Sequence, residues 1–503
     1  MEQRQYIDNM LAAESGTLHQ FGKRDIVMVY PSPYTVGMAS LGFQSVYRDL
    51  NALPDTCAER AFLPSADIFD QSWKTLLSFE SKRPVGDFSV LAFSVAYELE
   101  LQGLFHTLEL SGIPVLREER GEEQPWIVAG GPLTFSNPTP LAPFADIIVM
   151  GEAEGLLEPL LEQLFGCEKR SDALRVLAGL PGFYIPSIHG ECLPAVAKAP
   201  DNLLPATSVI CTPHSALRDM FLIEVERGCS RGCTFCVMRR STNGGMRLVS
   251  KEKILSLIPD EVNRVGLVGA AVSDHPKIVE IVSDIVDSGR EIGLSSLRSD
   301  RLTPAFVQAL KKGGYKTLTV ASDGASERLR IGMEKKIRAR HLLNAAKLAG
   351  EEGVPVLKVY MMIGAPGEED ADLDELVALC LEQDKMAGPK TRIAMGLAPF
   401  VAKRNTPLDR LPFAGAKTVE RRIAYLRKRL EPRVELRATS VRWAWAEYVL
   451  AQGGSETGLA CYRAWKRGGR FVDYKKELKP FDKSSEFQEN LAQKHLAGLF
   501  ASA

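Results

Sequence analysis

Two successive series of alternating strand-like and helix-like segments constrain the fold of this chain more than any other feature. In the first series, short apolar runs at 25–31, 88–95, 125–132 and 145–154 alternate with amphipathic helical stretches. Such units form a doubly wound parallel sheet, whose crossovers place helices on both faces. Ligands on these sheets bind beyond the carboxyl ends of the strands. We therefore predict an N-terminal α/β domain over residues 1–182.

The second series begins at residue 219 and runs to about 410. Strands are predicted at 221–226, 264–270, 291–296, 316–322, 356–364 and 392–400, with helices such as 277–289 and 303–314 between them. Six successive βα units close into a partial or full parallel barrel, whose functional loops follow the carboxyl ends of the strands. The irregular residues 183–218 are interpreted as a connector, and residues 411–503 as a small, basic, mainly helical cap.

Composition places the chain among globular proteins of the cytoplasm. Apolar residues make up 45% of the 503 residues and charged residues 25%. No apolar run approaches the length of a membrane-spanning helix, and the first residues lack the pattern of a signal peptide. We therefore expect a cytoplasmic protein with no membrane partner, in which thiols stay reduced. The nine cysteines are interpreted as a metal site plus core residues rather than as disulfides.

The segment RGCSRGCTFC (227–236) follows the first strand of the barrel series directly and holds three of the cysteines: Cys229, Cys233 and Cys236. Structural zinc takes four ligands, usually from two C-x-x-C pairs, and only one such pair is present. Cys211 and Cys192 lie upstream, so a fourth ligand stays open at this point. The more economical interpretation is a [4Fe–4S] cluster with one iron open to an external ligand, which is what a catalytic site needs.

This cysteine spacing, with Phe235 before the last cysteine, resembles the signature of radical S-adenosylmethionine (SAM) enzymes. The resemblance implies that SAM binds the open iron through its amino and carboxylate groups. It also implies that an electron from the reduced cluster cleaves SAM to methionine and a 5′-deoxyadenosyl radical, which abstracts a hydrogen atom. The cofactor carries the chemistry, and the protein positions it.

The resemblance extends along the barrel and implies further SAM contacts, which are Gly269, Ser296, Arg298, Asp323, Arg328 and Gly364. The turn at 268–270 lacks the acidic residue of the family pattern, so we expect the amino group of SAM to meet backbone there. Asp323 stands where the family usually has a glutamate. In the alternative interpretation, Arg298 and Arg328 are salt-bridged barrel residues and Gly364 is a plain turn glycine.

The N-terminal domain resembles the cobalamin-binding domain that precedes many radical SAM barrels. The resemblance rests on a Gly-Gly-Pro turn and a Gly-Glu-x-Glu strand end, and the implied cobalamin contacts are Tyr34, Gly37, Gly130, Gly131, Gly151 and Glu152. The stretch 30–37 lacks the histidine that usually ligates cobalt. Some family members bind cobalamin without a protein ligand, whereas others have lost it. Roughly residues 25–410 resemble a bacterial branch of these two-domain proteins, whereas residues 411–503 match no motif.

Two functions follow from the resemblance. The first is a cobalamin-associated radical SAM enzyme that methylates or rearranges a small molecule and receives electrons from a reductant such as flavodoxin or ferredoxin. The alternative is cobalamin-independent modification of RNA or protein, as by a methylthiotransferase. That reaction usually needs a second cluster, and Cys57, Cys167 and Cys192 do not have a suitable arrangement. A structural iron–sulfur or zinc protein would not explain the SAM-like motifs.

Residues 401–480 have an excess of positive charge, with 19 Lys and Arg against 8 Asp and Glu. Such a segment could bind a nucleic acid. We favour solvated helix faces, because the basic residues are spread over several elements. The segments VRWAWAEYVLAQGG and ACYRAWKRGGRFVDY alternate aromatic and basic residues, which could stack on bases. We favour core anchors of a helical cap, with Trp443 and Trp445 among them.

Overall fold

The computed structural model describes residues 3–65, 73–238 and 245–484 of the 503-residue chain. Its strands are β1 (Arg24–Pro33), β2 (Thr56–Leu63), β3 (Val90–Ser94), β4 (Trp126–Gly130), β5 (Ile147–Val149), β6 (Phe183–Tyr184), β7 (Phe221–Glu224), β8 (Glu226–Gly228), β9 (Met246–Leu248), β10 (Arg264–Val268), β11 (Glu291–Leu294), β12 (Thr317–Ala321), β13 (Val356–Ile363), β14 (Arg392–Pro399) and β15 (Glu435–Ala438).

The α-helices are α1 (Gln3–Ala12), α2 (Tyr34–Gly37), α3 (Leu41–Ala52), α4 (Leu101–Leu110), α5 (Leu157–Gly166), α6 (Arg170–Ala178), α7 (Pro186–His189), α8 (Lys251–Ser256), α9 (Ile278–Asp287), α10 (Pro304–Lys312), α11 (Glu327–Gly332), α12 (Ala339–Glu351), α13 (Asp370–Ala387), α14 (Ala416–Leu430), α15 (Val441–Gln452), α16 (Ser455–Lys466) and α17 (Phe471–Leu478). Short 3-10 helices lie at Val85–Asp87, Glu98–Glu100, Arg117–Glu119, Pro132–Phe135, Thr139–Leu141, Asp201–Leu203, Val272–Asp274, Ser299–Arg301 and Lys479–Phe481. Among these described helices, none combines the length and apolarity needed to cross a membrane.

The chain divides into two compact units. The first consists of the described parts of Met1–Ile223 together with Gly453–Pro480, and the second of the described parts of Glu224–Gln452 and Phe481–Ala503. This division differs from the predicted domains in three places. The predicted connector belongs to the first unit, and so do residues 219–223, which were predicted to begin the barrel. The predicted cap over 411–503 is divided, with Gly453–Pro480 in the first unit and the rest of its described residues in the second.

The first unit contains a sheet with the order β2-β1-β3-β4-β5-β6, parallel except for the antiparallel edge strand β6. The predicted doubly wound sheet is therefore confirmed. Strand β2 was not predicted as a strand, because Glu59 and Arg60 interrupt its apolar run. Arg60 is nevertheless fully buried. Its guanidinium binds the buried carboxylates of Glu14 and Glu80, with N–O distances of 2.6–2.9 Å.

Helix α16 joins the first unit because aromatic side chains on one of its faces pack against that unit. Tyr462 and Trp465 contact Phe105 of α4, with ring centroids 5.3 and 5.8 Å apart. Tyr462 also contacts Phe144. These two aromatic residues of the ACYRAWKRGGRFVDY segment therefore pack in an apolar cluster of the first unit. The expectation that this segment belongs to a cap on the barrel is wrong.

The second series of strands forms a partial parallel barrel. Its strands form a three-stranded sheet, β11-β10-β7, and a four-stranded sheet, β12-β13-β14-β15, in addition to the antiparallel pair β8-β9. All of them lie in the second unit except β7, which spans the boundary at residues 223 and 224. A parallel bridge between Leu297 and Val320 connects the two larger sheets. Strand β15 was not predicted and extends the barrel by one parallel strand. The barrel is open, since the described strands form no pairing between the edges β7 and β15.

Candidate functional site

The cysteine loop begins directly after β8, at the carboxyl end of the first barrel strands. Cys233 is buried, and Cys229 and Cys236 are partly buried. The backbone N–H of Arg231 donates to Cys229 Sγ at 3.4 Å, and the N–H of Cys236 donates to the carbonyl of Cys233 at 3.2 Å. Burial raises the pKa of the Cys233 and Cys236 thiols. All three thiols are free.

The described residues contain no group of three Cys, His, Asp or Glu side chains arranged around a single metal ion. A mononuclear structural zinc site needs four ligands around one ion. In a [4Fe–4S] cluster each cysteine binds its own iron, so three thiols on one short loop supply the ligands of three irons.

The loop after α11 holds the cysteine loop from one side. The N–H of Thr234 donates to the carbonyl of Met333 at 3.1 Å, and Cys233 Sγ lies 3.9 Å from the carbonyl oxygen of Glu334. A Cβ atom at Gly232 would lie 2.4 Å from Glu334 Oε2. Glycine at position 232 therefore permits this close approach.

An ionic network fixes the middle of the cysteine loop. Arg231, between the first two cysteines, binds the Asp274 carboxylate in a bidentate manner, at 2.8 and 2.6 Å. Arg301 binds the same carboxylate at 3.0 Å. Burial opposes ionisation of Asp274, but the hydrogen bonds and charge of Arg231 lower its pKa overall. Since a bidentate pair restrains direction as well as distance, Asp274 positions the loop.

Glu226 supplies an acidic group beside the turn that lacks one in the sequence. Its Oε1 accepts the N–H of Ala271 at 2.6 Å, and a Cβ atom at Gly269 would lie only 2.2 Å from it. Glu226 is fully buried, and its Oε2 has no hydrogen-bond partner among the described residues. Burial raises its pKa to about 7. A buried carboxylate oxygen without a hydrogen-bond partner lowers the stability of the folded state unless a bound ligand donates a hydrogen bond to it. The cationic amino group of SAM is a suitable donor.

Asp323 forms an ion pair with Lys335, with a distance of 2.5 Å. Its backbone is left-handed, with φ of 61°, and its N–H donates to the carbonyl of Tyr360 at 3.3 Å. The charge of Lys335 partly offsets the effect of burial on the pKa of Cys233 and Cys236. Asp323 and Lys335 thus lie within electrostatic range of these cysteines.

The other residues predicted to contact SAM have different surroundings. Arg298 is buried and binds Asp300 at 3.0 Å, and Arg328 binds Asp372 at 2.6 Å. Both arginines therefore agree with the alternative interpretation of salt-bridged barrel residues. Gly364 has φ of 77° and donates its N–H to Glu368, as expected of a turn glycine. Ser296 is exposed, and Phe235 is partly buried between two cysteines.

Most of the residues predicted to contact cobalamin pack against other residues of this chain. Tyr34 is fully buried, stacks on Phe79 and donates its hydroxyl to Glu14 at 2.6 Å. A Cβ atom at Gly37 would lie 2.4 Å from the ring of Phe62. Tyr34 and Gly37 are therefore core positions, and they do not face a bound cofactor.

The residues at the carboxyl ends of β4 and β5 also pack against other segments of the chain. A Cβ atom at Gly131 would lie 2.8 Å from the carbonyl oxygen of Val95, and one at Gly151 would lie 2.4 Å from that of Ala197. Glu152 accepts the N–H of Ala199 at 2.8 Å. Among the four glycines of this set, only Gly130 has no atom closer than 3.6 Å to a Cβ position. The other five residues pack against or bind other parts of the chain, so they do not fit a cobalamin-binding surface.

The cluster and SAM, in contrast, fit the residues present: three free thiols on one loop, a close-packed turn at Gly269 and an unpartnered carboxylate oxygen beside it. Sequence reasoning missed Glu226, Asp274 and Lys335. Glu226 carried a detectable signal, because it is a charged residue at the end of a strand predicted to be buried. Asp274 and Lys335 carried none, since their roles depend on contacts with distant segments.

The fold and the site define a class of protein: an α/β protein with a parallel, open barrel and a three-cysteine loop after its first strands. Two family profiles match the chain, "Radical SAM proteins, N-terminal" over residues 42–186 and "Radical SAM superfamily" over residues 223–380. The chain belongs to the radical SAM superfamily and is an enzyme. Membership implies a [4Fe–4S] cluster and SAM as cofactors.

Relatives agree with this assignment. An uncharacterized protein of Methanocaldococcus jannaschii is 27% identical over 419 residues, which is 81% of this chain and 84% of that protein. A tRNA-2-methylthio-N(6)-dimethylallyladenosine synthase of Bacillus thuringiensis is 26% identical over 179 residues, covering 32% of this chain and 34% of that one.

Solved structures resemble the fold. The structure of the apo, selenomethionine-labelled cobalamin-dependent S-adenosylmethionine radical enzyme OxsB aligns with a TM-score of 0.53 and 12% identity, over 95% of this chain and 75% of that one. The aqua-cobalamin-bound OxsB structure aligns with a TM-score of 0.50 and 14% identity, over 71% of this chain and 52% of that one. This chain thus spans about half the length of the second of these chains.

Proposed function

We propose that this enzyme holds a [4Fe–4S] cluster on Cys229, Cys233 and Cys236, cleaves SAM reductively and abstracts a hydrogen atom from a small-molecule substrate. The observation that carries the proposal is the cysteine loop itself. It offers three thiols at the carboxyl end of the first barrel strands, where functional loops of parallel barrels lie. When bound, the reduced cluster supplies the electron that cleaves SAM to methionine and a 5′-deoxyadenosyl radical.

The chain's own residues bind and orient the reactants. The three thiolates would hold a cluster with one iron open, and Arg231, held by Asp274, keeps the loop in place. Glu226 Oε2 would accept a hydrogen bond from the amino group of SAM beside the Gly269 turn. The ion pair between Asp323 and Lys335 lies close enough to the cysteines to line the same site.

Single Cys229→Ala, Cys233→Ala and Cys236→Ala variants test the proposal. Anaerobically reconstituted wild-type protein should contain about four irons per chain and release 5′-deoxyadenosine after reduction with dithionite. Each variant should lose SAM cleavage and most of its iron. Cys192→Ala is the matched control, since Cys192 is exposed and lies outside the loop. Retention of iron and cleavage by all three variants would refute the proposal.

The proposed mechanism does not use cobalamin, because most of the residues predicted to contact it pack against other residues of the chain. The proposal therefore differs from cobalamin-dependent methyl transfer. The protein incubated with hydroxocobalamin and freed of excess should show no cobalamin absorption spectrum. A stoichiometric spectrum would restore the methyl-transfer hypothesis.

RNA modification is the second candidate, suggested by the partial similarity to the tRNA-modifying synthase. One observation disfavours it. In the first unit's C-terminal helices, Arg463 and Arg467 both pair with Glu477, which reduces the positive charge available to a nucleic acid. RNA binding with a steep dependence on salt concentration would favour this candidate over a small molecule.

The proposed reaction also needs an electron donor and a compartment in which that donor is present. A cluster that must be reduced before each SAM cleavage requires a low-potential electron donor, for which we propose flavodoxin or ferredoxin. Such donors and free thiols occur together in the cytoplasm, where we place the reaction. Replacement of dithionite by reduced flavodoxin should support 5′-deoxyadenosine formation.

A further inference from the structure

One face of the four-stranded sheet is not packed as a core. On β12, β13 and β14, the residues of the other face are buried, among them Leu318, Val359 and Met395. The first face carries mainly small and polar side chains, together with two partly exposed apolar ones, and all of these are partly or fully accessible: Thr319, Val356, Lys358, Tyr360, Met362, Gly396 and Ala398. A closed barrel fills its interior with layers of branched apolar side chains, whereas this face stays accessible.

Lys358 and Tyr360 form the centre of this face. The register of the parallel strands places Tyr360 beside Ala321 and Gly396, so that all three share one face. A Cβ atom at Gly396 would lie 2.9 Å from the Tyr360 ring, so the ring lies against the glycine. Tyr360 remains 39% exposed although its strand is paired on both sides.

The ammonium group of Lys358 has an unusual partner. Its Nζ donates to the hydroxyl of Tyr360 at 2.8 Å and lies 4.5 Å from the centroid of the same ring. Among the described residues, Lys358 forms no ion pair with a carboxylate. The contact is solvent-exposed, and the hydrogen-bond partner of the ammonium is a neutral phenol hydroxyl. The positive charge of Lys358 is therefore accessible to an anion.

The surrounding charge is positive. Arg392 pairs with Val356, two residues before Lys358, and so lies on the same face as Lys358. Arg437 lies beside Gly396. Both arginines pair with Glu435. The face thus has three cations and one carboxylate within two strands of Tyr360, and Lys358 is the cation without a carboxylate partner among the described residues. This arrangement is complementary to an anion.

The pair also adjoins the candidate cluster site. The carbonyl of Tyr360 accepts the N–H groups of Ser322 and Asp323, at 2.8 and 3.3 Å. Asp323 lies within electrostatic range of Cys233 and Cys236. A substrate held on Lys358 would therefore lie on the strand next to the turn that faces the cluster loop.

We infer that Lys358 and Tyr360 bind an anionic group of the substrate, a carboxylate or a phosphate ester, on the accessible face of the four-stranded sheet. This inference rests on the proposed function, because it names the substrate class of the same site. Lys358 supplies the charge, and the Tyr360 hydroxyl supplies a directed hydrogen-bond donor once Lys358 turns to the anion. Hydrogen bonds to charged groups are about twice as strong as neutral ones.

Calorimetric titration of the reconstituted, SAM-loaded full-length protein with inorganic phosphate, and separately with succinate, tests the inference at low ionic strength. We expect saturable binding of one anion per chain by at least one of the two probes. Binding of phosphate alone would assign a phosphate ester, and binding of succinate alone a carboxylate. Lys358→Met should weaken binding about tenfold, which corresponds to about 1.4 kcal/mol. Tyr360→Phe should weaken it severalfold.

Lys347→Met is the matched control, since Lys347 is exposed on α12 and pairs with Glu351 at a distance of 3.7 Å. It should bind the anion as the wild type does. The inference is overturned if neither probe saturates, or if Lys358→Met, with an unchanged unfolding midpoint, binds as tightly as the control. Iron content and 5′-deoxyadenosine formation by the same wild-type preparation report on the proposed function separately, so the two failures are distinguishable.

Discussion

At the residue scale, three buried or partly buried charged groups, contributed by different elements, surround the cysteine loop. Glu226 comes from β8, Asp274 from the 3-10 helix after β10, and Lys335 from the loop after α11. Each contacts a segment that is distant in sequence. The cysteines therefore depend for their orientation on residues that the cysteine motif does not include.

Glu226→Gln should stabilise the protein increasingly as pH rises. The folded-state pKa of Glu226, about 7, lies above the ordinary value of 4.5. Between these values the folded state retains a proton that the unfolded state releases, so the wild type loses unfolding free energy as pH rises through this window. The limit is about 3 kcal/mol at 1.36 kcal/mol per pKa unit. Glutamine does not titrate and can still accept the N–H of Ala271.

The measurement is the thermal unfolding midpoint of each protein at pH 5, 7 and 8, without added SAM. The difference between Glu226→Gln and the wild type should grow with pH, whereas the exposed Glu261→Gln should follow the wild type. A difference that is the same at every pH would contradict the assignment of the titration to Glu226.

Asp274→Asn should loosen the cysteine loop. The variant removes the charge that binds Arg231 and leaves a partly buried guanidinium without its anion, a loss of up to about 3–5 kcal/mol for a buried pair. We expect severalfold faster loss of iron to a chelator under anaerobic conditions. Arg301→Ala removes a half-exposed partner of the same carboxylate and should change stability by less than about 1 kcal/mol. Equal rates of iron loss in the two variants would contradict a positioning role for Asp274.

At the scale of elements, the segment after β6 shapes the carboxyl edge of the first sheet. Ala197 pairs with Gly151 in a parallel bridge, and its N–H donates to Met150 at 2.8 Å. The N–H of Ala199 donates to Glu152. The predicted connector is therefore part of the sheet edge, at the place where a ligand of a doubly wound sheet usually binds.

Gly151→Ala should displace this segment. Gly151 has φ of 102°, which strains any other residue, and the added Cβ atom would lie 2.4 Å from the carbonyl oxygen of Ala197. We expect a loss of about 1–3 kcal/mol and faster proteolysis within residues 183–218. Gly166→Ala is the control, because no atom lies within 4 Å of its Cβ position and its φ is not positive. Equal proteolysis of both variants would show that Gly151 does not hold the segment.

At the scale of the whole molecule, the two units are not continuous along the chain. The first unit is completed by Gly453–Pro480, which follows the barrel in sequence. The close approach of Gly458 to Pro140 shows how tightly α16 is packed, since a Cβ atom there would lie 2.1 Å from the carbonyl oxygen. The first unit therefore needs residues that lie on the C-terminal side of the barrel in sequence.

Gly458→Val should destabilise the first unit and leave the second unchanged. Valine cannot occupy this position without displacing α16, which carries Tyr462 and Trp465 onto Phe105. We expect a loss of about 2–3 kcal/mol, in the range of overpacked core substitutions. Hydrogen exchange should increase in β1–β5 and remain unchanged in β10–β14. Gly42→Ala, whose Cβ position has no neighbour within 4 Å, should leave both regions unchanged.

Alternating apolar strands and amphipathic helices, read from the sequence alone, determined the α/β class, the parallel sheets and the position of the cysteine loop, because strand burial and periodicity are local properties. They missed β2, whose buried Arg60 is compensated by Glu14 and Glu80 from elsewhere in the chain. Only the tertiary structure could show that Arg298 and Arg328 are ion-paired, that Glu226 lies beside Gly269, and that α16 belongs to the first unit. Each of these depends on contacts between distant segments, and hydrogen bonds, ion pairs and packing act between neighbours in space whatever their separation in sequence.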